Sequence, residues 1–128
     1  MKVLLDTHAA LFAWADPDQL SERGRELIEN PEVEVFFSQV SSLEIALKHR
    51  IGKLELPELP STYIGSRIHR SGFQYLALDD SDIFGLSDLP KIHRDPFDLL
   101  LVATAIRLKL PLISRDRHIG AYPVELVW

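Results

Sequence analysis

The stretch His93–Arg107, HRDPFDLLLVATAIR, constrains this chain more than any other. It carries the signature of a helix start followed by an almost wholly apolar helix. Asp95 reads as the N-cap, Pro96 fits the first helical position, and Asp98 falls three residues after the cap. Leu99, Leu100, Leu101, Val102, Ala103, Ala105 and Ile106 then cover nearly every face. A helix that is apolar all round must be buried, so other layers have to pack around it. Asp98 therefore sits at the mouth of a buried helix, where free N–H groups and the macrodipole favour negative charge.

The remaining segments supply those layers. Lys2–Leu5 is a short apolar run that reads as a buried strand ending at Asp6. Thr7–Ala15 has helical character and stops at Asp16-Pro17. Ser21–Asn30 reads as a helix capped by Ser21, and Val33–Phe37 as a second strand. Ser41 or Ser42 is expected to cap a helix running to about Arg50, with Gly52 as its stop. Lys53–Pro60 is a loop, Pro60–Arg70 a helix ended by Gly72, and Phe73–Leu78 a third strand. Ser81–Leu86 is a short helix that precedes the apolar one, which runs to about Lys109. Leu112–Ser114 is a fourth strand and Val124–Trp128 an edge strand. Strands alternating with helices predict one α/β domain over residues 1–128, with a mostly parallel sheet covered on both faces.

Composition excludes several classes. Without cysteine there is no disulfide framework and no thiolate metal site, which is compatible with a reducing cytoplasm. The longest apolar run is far short of the roughly 20 residues needed to span a bilayer. The N-terminal segment MKVLLDTHAALFAWAD resembles a signal peptide only superficially, because Asp6 and His8 interrupt its apolar region. The formal net charge is −5, which argues against a protein that coats duplex nucleic acid by bulk charge.

Acidic residues fall where a parallel sheet builds its sites, outside the carboxyl ends of the strands. Asp6 ends the first strand and Asp116 follows the fourth. Glu44, in the first turn after Ser41/Ser42, and Asp98 start helices that point at the same edge. Clustered carboxylates repel one another unless one protonates or a cation binds, and oxygen-only ligands favour Mg²⁺ or Mn²⁺. Such ions suit metal-assisted phosphodiester hydrolysis. Each acid also has a purely structural reading. Asp6 can cap the helix at Thr7, Glu44 can pair with Lys48 at i,i+4, Asp98 can share a capping arrangement with Asp95, and Asp116 can serve a turn.

Basic residues flank these acids. Arg115, Arg117 and His118 surround Asp116, while Lys91, His93 and Arg94 precede Asp98. Lys48, His49, Arg50 and Lys53 follow Glu44. Such groups can hold phosphates without reading sequence, or simply stand in solvent. His93 reads as a loop hydrogen-bonding residue rather than a ligand. There is no HExxH, no GxxxxGK[ST] and no GxSxG motif. The Asp6-Thr7-His8 order lacks the DxD of haloacid-dehalogenase-type phosphatases, and Asp79-Asp80 comes too late for a phosphoacceptor receiver. Phe12, Trp14, Leu54, Leu56 and Leu59 lie in segments near the rim and could line an apolar groove for a partner, or pack in the core.

Four segments carry a resemblance to a known family: LLDTHAALFAW at residues 4–14, SSLEIALKHRIGKLEL at Ser41–Leu56, HRDPFDLLLVATA at His93–Ala105, and LISRDRHIGAYPVELVW at residues 112–128. Together they resemble PIN-domain ribonucleases, and most closely the VapC-type toxins of bacterial toxin–antitoxin pairs. The resemblance implies a three-layer α/β/α sandwich around a five-stranded parallel sheet. It implies that Asp6, Glu44, Asp98 and Asp116 form an acidic quartet binding Mg²⁺ or Mn²⁺, with Thr7 beside the first. It further implies endonucleolytic cleavage of RNA, usually tRNA or rRNA, in the cytoplasm, and a small antitoxin that blocks the site and represses the shared operon. Homodimers are usual. Leu99 stands where the family often has Arg, and Ser114 where Thr is common; neither change removes a metal ligand.

On this reading Asp6 and Asp98 are the main metal ligands, and Asp116 and Glu44 complete the shell or orient the attacking water. Thr7, Ser114, Arg94, Arg115 and Arg117 are candidate substrate contacts, and Asp95 is read as a cap. Two alternatives stand beside it: a non-catalytic PIN-like module that binds RNA or protein, and a PIN nuclease without an antitoxin.

Overall fold

The computed structural model describes residues 1–128. Its centre is a five-stranded, all-parallel sheet in the order β3-β2-β1-β4-β5. The strands are β1 (Lys2–Leu5), β2 (Glu34–Ser38), β3 (Gln74–Leu76), β4 (Leu112–Ile113) and β5 (Leu126–Val127). The helices are α1 (Thr7–Ala15), α2 (Glu22–Glu29), α3 (Gln39–Arg50), α4 (Pro60–Ser71), α5 (Asp80–Phe84) and α6 (Pro96–Leu108).

Alternation along the strands separates two cores. Val3, Leu5, Val35, Phe37, Ile113 and Val127 face one side, with Ala9 and Ala10 of α1 and Ile64 of α4. Leu4 and Leu112 face the other, with Leu101, Val102 and Ala105 of α6. Helix α3 serves both sides, with Ile45 in the first cluster and Val40 in the second. The result is the expected three-layer α/β/α sandwich. No helix is long and apolar enough to cross a membrane.

Strand ends follow register. Only Phe36, Phe37 and Ser38 of β2 pair with β3, so β3 stops at Leu76 rather than at Leu78. At the other edge only Leu126 and Val127 pair with β4, so β5 is shorter than Val124–Trp128. One helix start differs by a full turn. Ser38, not Ser41 or Ser42, caps α3, its hydroxyl accepting the Val40 N–H at 3.0 Å. Val40 is β-branched, a weak helix former, and so does not announce in the sequence the first turn in which it lies. Glu44 accordingly lies in the second turn of α3. The Ser81–Leu86 segment divides into α5 and a 3₁₀ turn, Gly85–Asp88. Another 3₁₀ turn, Arg117–Ala121, follows β4.

Candidate metal centre

β1 is flanked by β2 on one side and β4 on the other, so the connections diverge between β1 and β4. A crevice at such a divergence, outside the carboxyl ends of the strands, is where open α/β sheets place ligands. Asp6 stands at that point. Its backbone N–H donates to the Ile113 carbonyl at 3.0 Å, which ties it to β4. Its carboxylate caps α1 by accepting the Ala9 N–H at 2.7 Å. Capping fixes this side chain, and the short strand end leaves it at the crevice.

The other acids are fixed by equally local means. The Asp116 N–H donates to Ser114 Oγ at 3.1 Å, and Asp116 Oδ1 accepts the His118 N–H at 3.0 Å, starting the 3₁₀ turn. Asp95 Oδ1 accepts from the N–H groups of Phe97 at 2.8 Å and Asp98 at 3.3 Å. That cap sets where α6 begins, and so where Asp98 points. Glu44 is buried on α3, with Oε2 accepting from Lys48 Nζ and Oε1 without any partner. Thr7 Oγ1 donates to Ser41 Oγ at 2.9 Å, joining α1 to α3.

Asp6, Asp95, Asp98 and Asp116 line one cleft of about 590 Å³, with His8, His93, Arg115, Arg117 and His118, and no apolar side chain contributes to its wall. Glu44 is not part of the wall, but its charge acts on both Asp6 and Asp98. Thr7 and Ser114 are buried behind it, and Ser114 Oγ accepts the Asp116 N–H. Arg94 is exposed and lies outside the wall. Of the rim residues, Phe12 and Leu54 line a separate apolar groove. Trp14 instead packs on Phe37, Phe73 and Tyr63, Leu56 packs against the core, and Leu59 is exposed.

His93 takes a larger part than its sequence context suggests. Its Nε2 lies 2.8 Å from Asp116 Oδ2 and 3.1 Å from Asp98 Oδ2. Ligating atoms of His93, Asp98 and Asp116 all lie within 4.8 Å of one another. The residue is also the loop hydrogen-bonding residue the sequence indicates. Its N–H donates to Tyr122 Oη at 2.8 Å, and its Nδ1 accepts the Asp95 N–H at 3.2 Å. With Nδ1 accepting, Nε2 carries the proton that bridges the two carboxylates. Only the 3₁₀ turn and Tyr122, far along the chain, bring these groups together.

The electrostatics show what the cluster lacks. Burial, then the charges of Asp95 and Asp6, push the Asp98 carboxyl up to about 7, against a smaller opposing pull from His93. Burial also raises Asp6, although hydrogen bonds from Ser114 and Ala9 oppose it. Burial alone would lower the His93 imidazolium, but the Asp116 hydrogen bond and the charges of Asp98, Asp116 and Asp95 outweigh it and raise its pKa. Burial would raise Asp116, yet bonds from His93 and His118 hold it low. Asp6 and Asp98 are thus short of positive charge, and Glu44 Oε1 is short of any donor. Carboxylate oxygens with that deficit, beside one imidazole, fit a hard divalent cation.

A parallel five-stranded α/β/α sandwich with converging acids at the β1–β4 crevice defines the class. The chain belongs to the PIN domain family, whose model matches residues 3–124. No curated protein matches it in sequence. Among solved structures, it is similar to one described as VapBC2 from Rickettsia felis bound to a promoter DNA fragment. There the TM-score is 0.71 at 15% identity, over 99% of this chain and 98% of that one. It is similar to VapBC-1 from nontypeable Haemophilus influenzae, with a TM-score of 0.63 at 16% identity over 99% and 97%. It also resembles FitAcB from Neisseria gonorrhoeae, with a TM-score of 0.59 at 19% identity over 100% and 97%. At these identities the likeness is one of fold.

Proposed function

We propose that this chain is a single PIN domain acting as a divalent-metal-dependent endoribonuclease, the VapC-type toxin of a type II toxin–antitoxin pair. The observation that carries the reading is the convergence of Asp6, Asp98 and Asp116 in one cleft lined by polar residues, with the charge of the buried Glu44, whose Oε1 has no partner, acting on two of them. Asp6, Asp98, Asp116 and Glu44 would hold Mg²⁺, or Mn²⁺ in its place. The ion would supply charge for the phosphorane-like transition state and a water of lowered pKa.

The protein's own groups do the rest. Asp6 and Asp98 are held rigidly by helix caps, which keeps a phosphate's approach fixed. Asp116, kept ionised by His93 and His118, accepts a hydrogen bond from an attacking water. Arg115 and Arg117, on the cleft wall, hold backbone phosphates without reading base sequence. Thr7 acts behind the wall by tying α1 to α3 and Ser114 by holding Asp116, and Arg94 is exposed outside the cleft wall. Asp95 is a positioning residue for Asp98.

The partner reading follows the family: a small antitoxin that covers the cleft. One similar structure, from Klebsiella pneumoniae, is described as a toxin–antitoxin complex, which supports this reading. A homodimer is supported by Leu43, Leu47 and Ile51, which leave an exposed apolar stripe at i,i+4 spacing on α3. The site of action is the cytoplasm.

The test is a panel of substrates with Mg²⁺: total tRNA, ribosomal RNA and single-stranded DNA. The expected outcome is discrete fragments from one RNA class and none from DNA. Fragments from DNA alone, or RNA binding without cleavage across every RNA class, would overturn the assignment in favour of another nuclease or a binding module.

A further inference from the structure

Beside the acidic cleft lies a second depression, an apolar groove of about 470 Å³ between α1 and the α3–α4 loop. Leu11, Phe12, Ala15, Ile45 and Leu54 form its floor, and Lys48 and Lys53 stand on its wall. His8 lines both the groove and the cleft, so the two adjoin at that residue. Phe12 couples them a second time. Its ring lines the groove, and the Arg115 guanidinium, which lines the cleft, sits over that ring with its carbon 5.0 Å from the centroid. The His8 and Phe12 ring centroids are 6.2 Å apart and the planes are tilted.

We propose that this groove is a nucleobase subsite. It takes one unpaired base of the RNA strand whose phosphate lies in the cleft, stacked on Phe12. The inference rests on the ribonuclease reading and says where such a strand places a base beside the phosphate. A base can enter a side groove only when it is unstacked and unpaired, and bases swung out in this way settle on aromatic rings and guanidinium planes. Charge favours a nucleotide over an apolar peptide. The groove wall carries Asp16 but also Lys53, and Arg115 stands on the adjoining cleft, cations suited to phosphates on either side of a base. The groove offers an apolar face together with the polar side chains of Thr7, His8 and Asp16. Stacking on Phe12 selects for an unpaired base, whichever base it is.

The test is equilibrium binding in EDTA, so that cleavage plays no part. Three fluorescein-labelled probes are compared by anisotropy: a short single-stranded RNA, the same strand annealed to its complement, and an abasic ribose-phosphate strand of equal length. Wild-type protein is expected to prefer the single strand to both others. Phe12→Leu, which keeps an apolar side chain, should weaken single-strand binding about tenfold, to the abasic level, while Phe12→Trp retains it. Circular dichroism confirms that both variants are folded. Equal binding by wild type and Phe12→Leu, or equal loss on the abasic strand, would overturn the subsite. So would unchanged RNA binding together with release of a co-expressed antitoxin, which would make the groove a protein dock. A Phe12-dependent preference for the single strand without cleavage in Mg²⁺ would instead defeat the nuclease reading and leave the subsite standing.

Discussion

His93 Nε2 sits 2.8 Å from Asp116 Oδ2, and this bond ties the segment before α6 to the turn after β4. The same nitrogen lies 3.1 Å from Asp98 Oδ2, so one ring nitrogen serves two carboxylates.

The first prediction is a stability profile of the metal-free protein. Asp98 has a folded pKa of about 7 against an ordinary 3.8, so the fold favours its protonated form. Its contribution is present at low pH and is lost as pH rises through that interval. His93, raised above 6.5, acts in the same sense: its contribution is present below 6.5 and lost as pH passes through the folded value. Thermal melts in EDTA should therefore show a falling Tm between pH 5 and pH 8, roughly the window these shifts span. Asp98→Asn should flatten the slope, and Mg²⁺ should raise the Tm most at the alkaline end. A Tm that rises with pH across this window would contradict the assignment.

Asp95 separates capping from chemistry. Asp95→Ala removes an acceptor for two N–H groups and should cost about 1 kcal/mol in urea unfolding. Asn caps nearly as well as Asp, so Asp95→Asn should keep wild-type stability and the position of Asp98. It also removes one of the charges that raise Asp98. The pH at which cleavage activity rises should therefore shift downward in Asp95→Asn, with its maximum rate close to wild type. Loss of activity with unchanged stability would make Asp95 part of the chemistry.

A third prediction concerns the α5–α6 contact. Asp82 is fully buried and receives Arg107 through Nε at 2.6 Å and Nη2 at 3.1 Å, with Thr104 Oγ1 at 2.9 Å. Arg107→Met would leave that carboxylate with only the threonine and should cost on the order of 3 kcal/mol. Replacing both partners, Asp82→Leu with Arg107→Met, should recover part of the loss. Equilibrium denaturation of the two variants reads the difference directly.

Much of the sheet and both helix-mouth acids were legible because each rests on local chemistry. Asp6 after an apolar strand, and Asp95-Pro96 before an apolar helix, mark capped starts whatever the rest of the chain does. The start of α3 was less legible, since Gln39 and Val40 continue the β-like pattern of Val33–Phe37 and only the Ser38 side chain marks the change. The turn at Arg117–Ala121 has no apolar periodicity to announce it. The bridging role of His93 depends on that turn and on Tyr122, contacts separated by 23 and 29 residues, so no local pattern contains it. The meeting of groove and cleft at His8 is likewise a product of packing.

The most direct measurement of the central claim is RNA cleavage by the purified protein with Mg²⁺, after EDTA, after Mg²⁺ is restored, and by Asp98→Asn. The account predicts cleavage that stops on chelation, returns with the ion, and falls by at least about a hundredfold in the variant. Cleavage that survives both chelation and Asp98→Asn would contradict it.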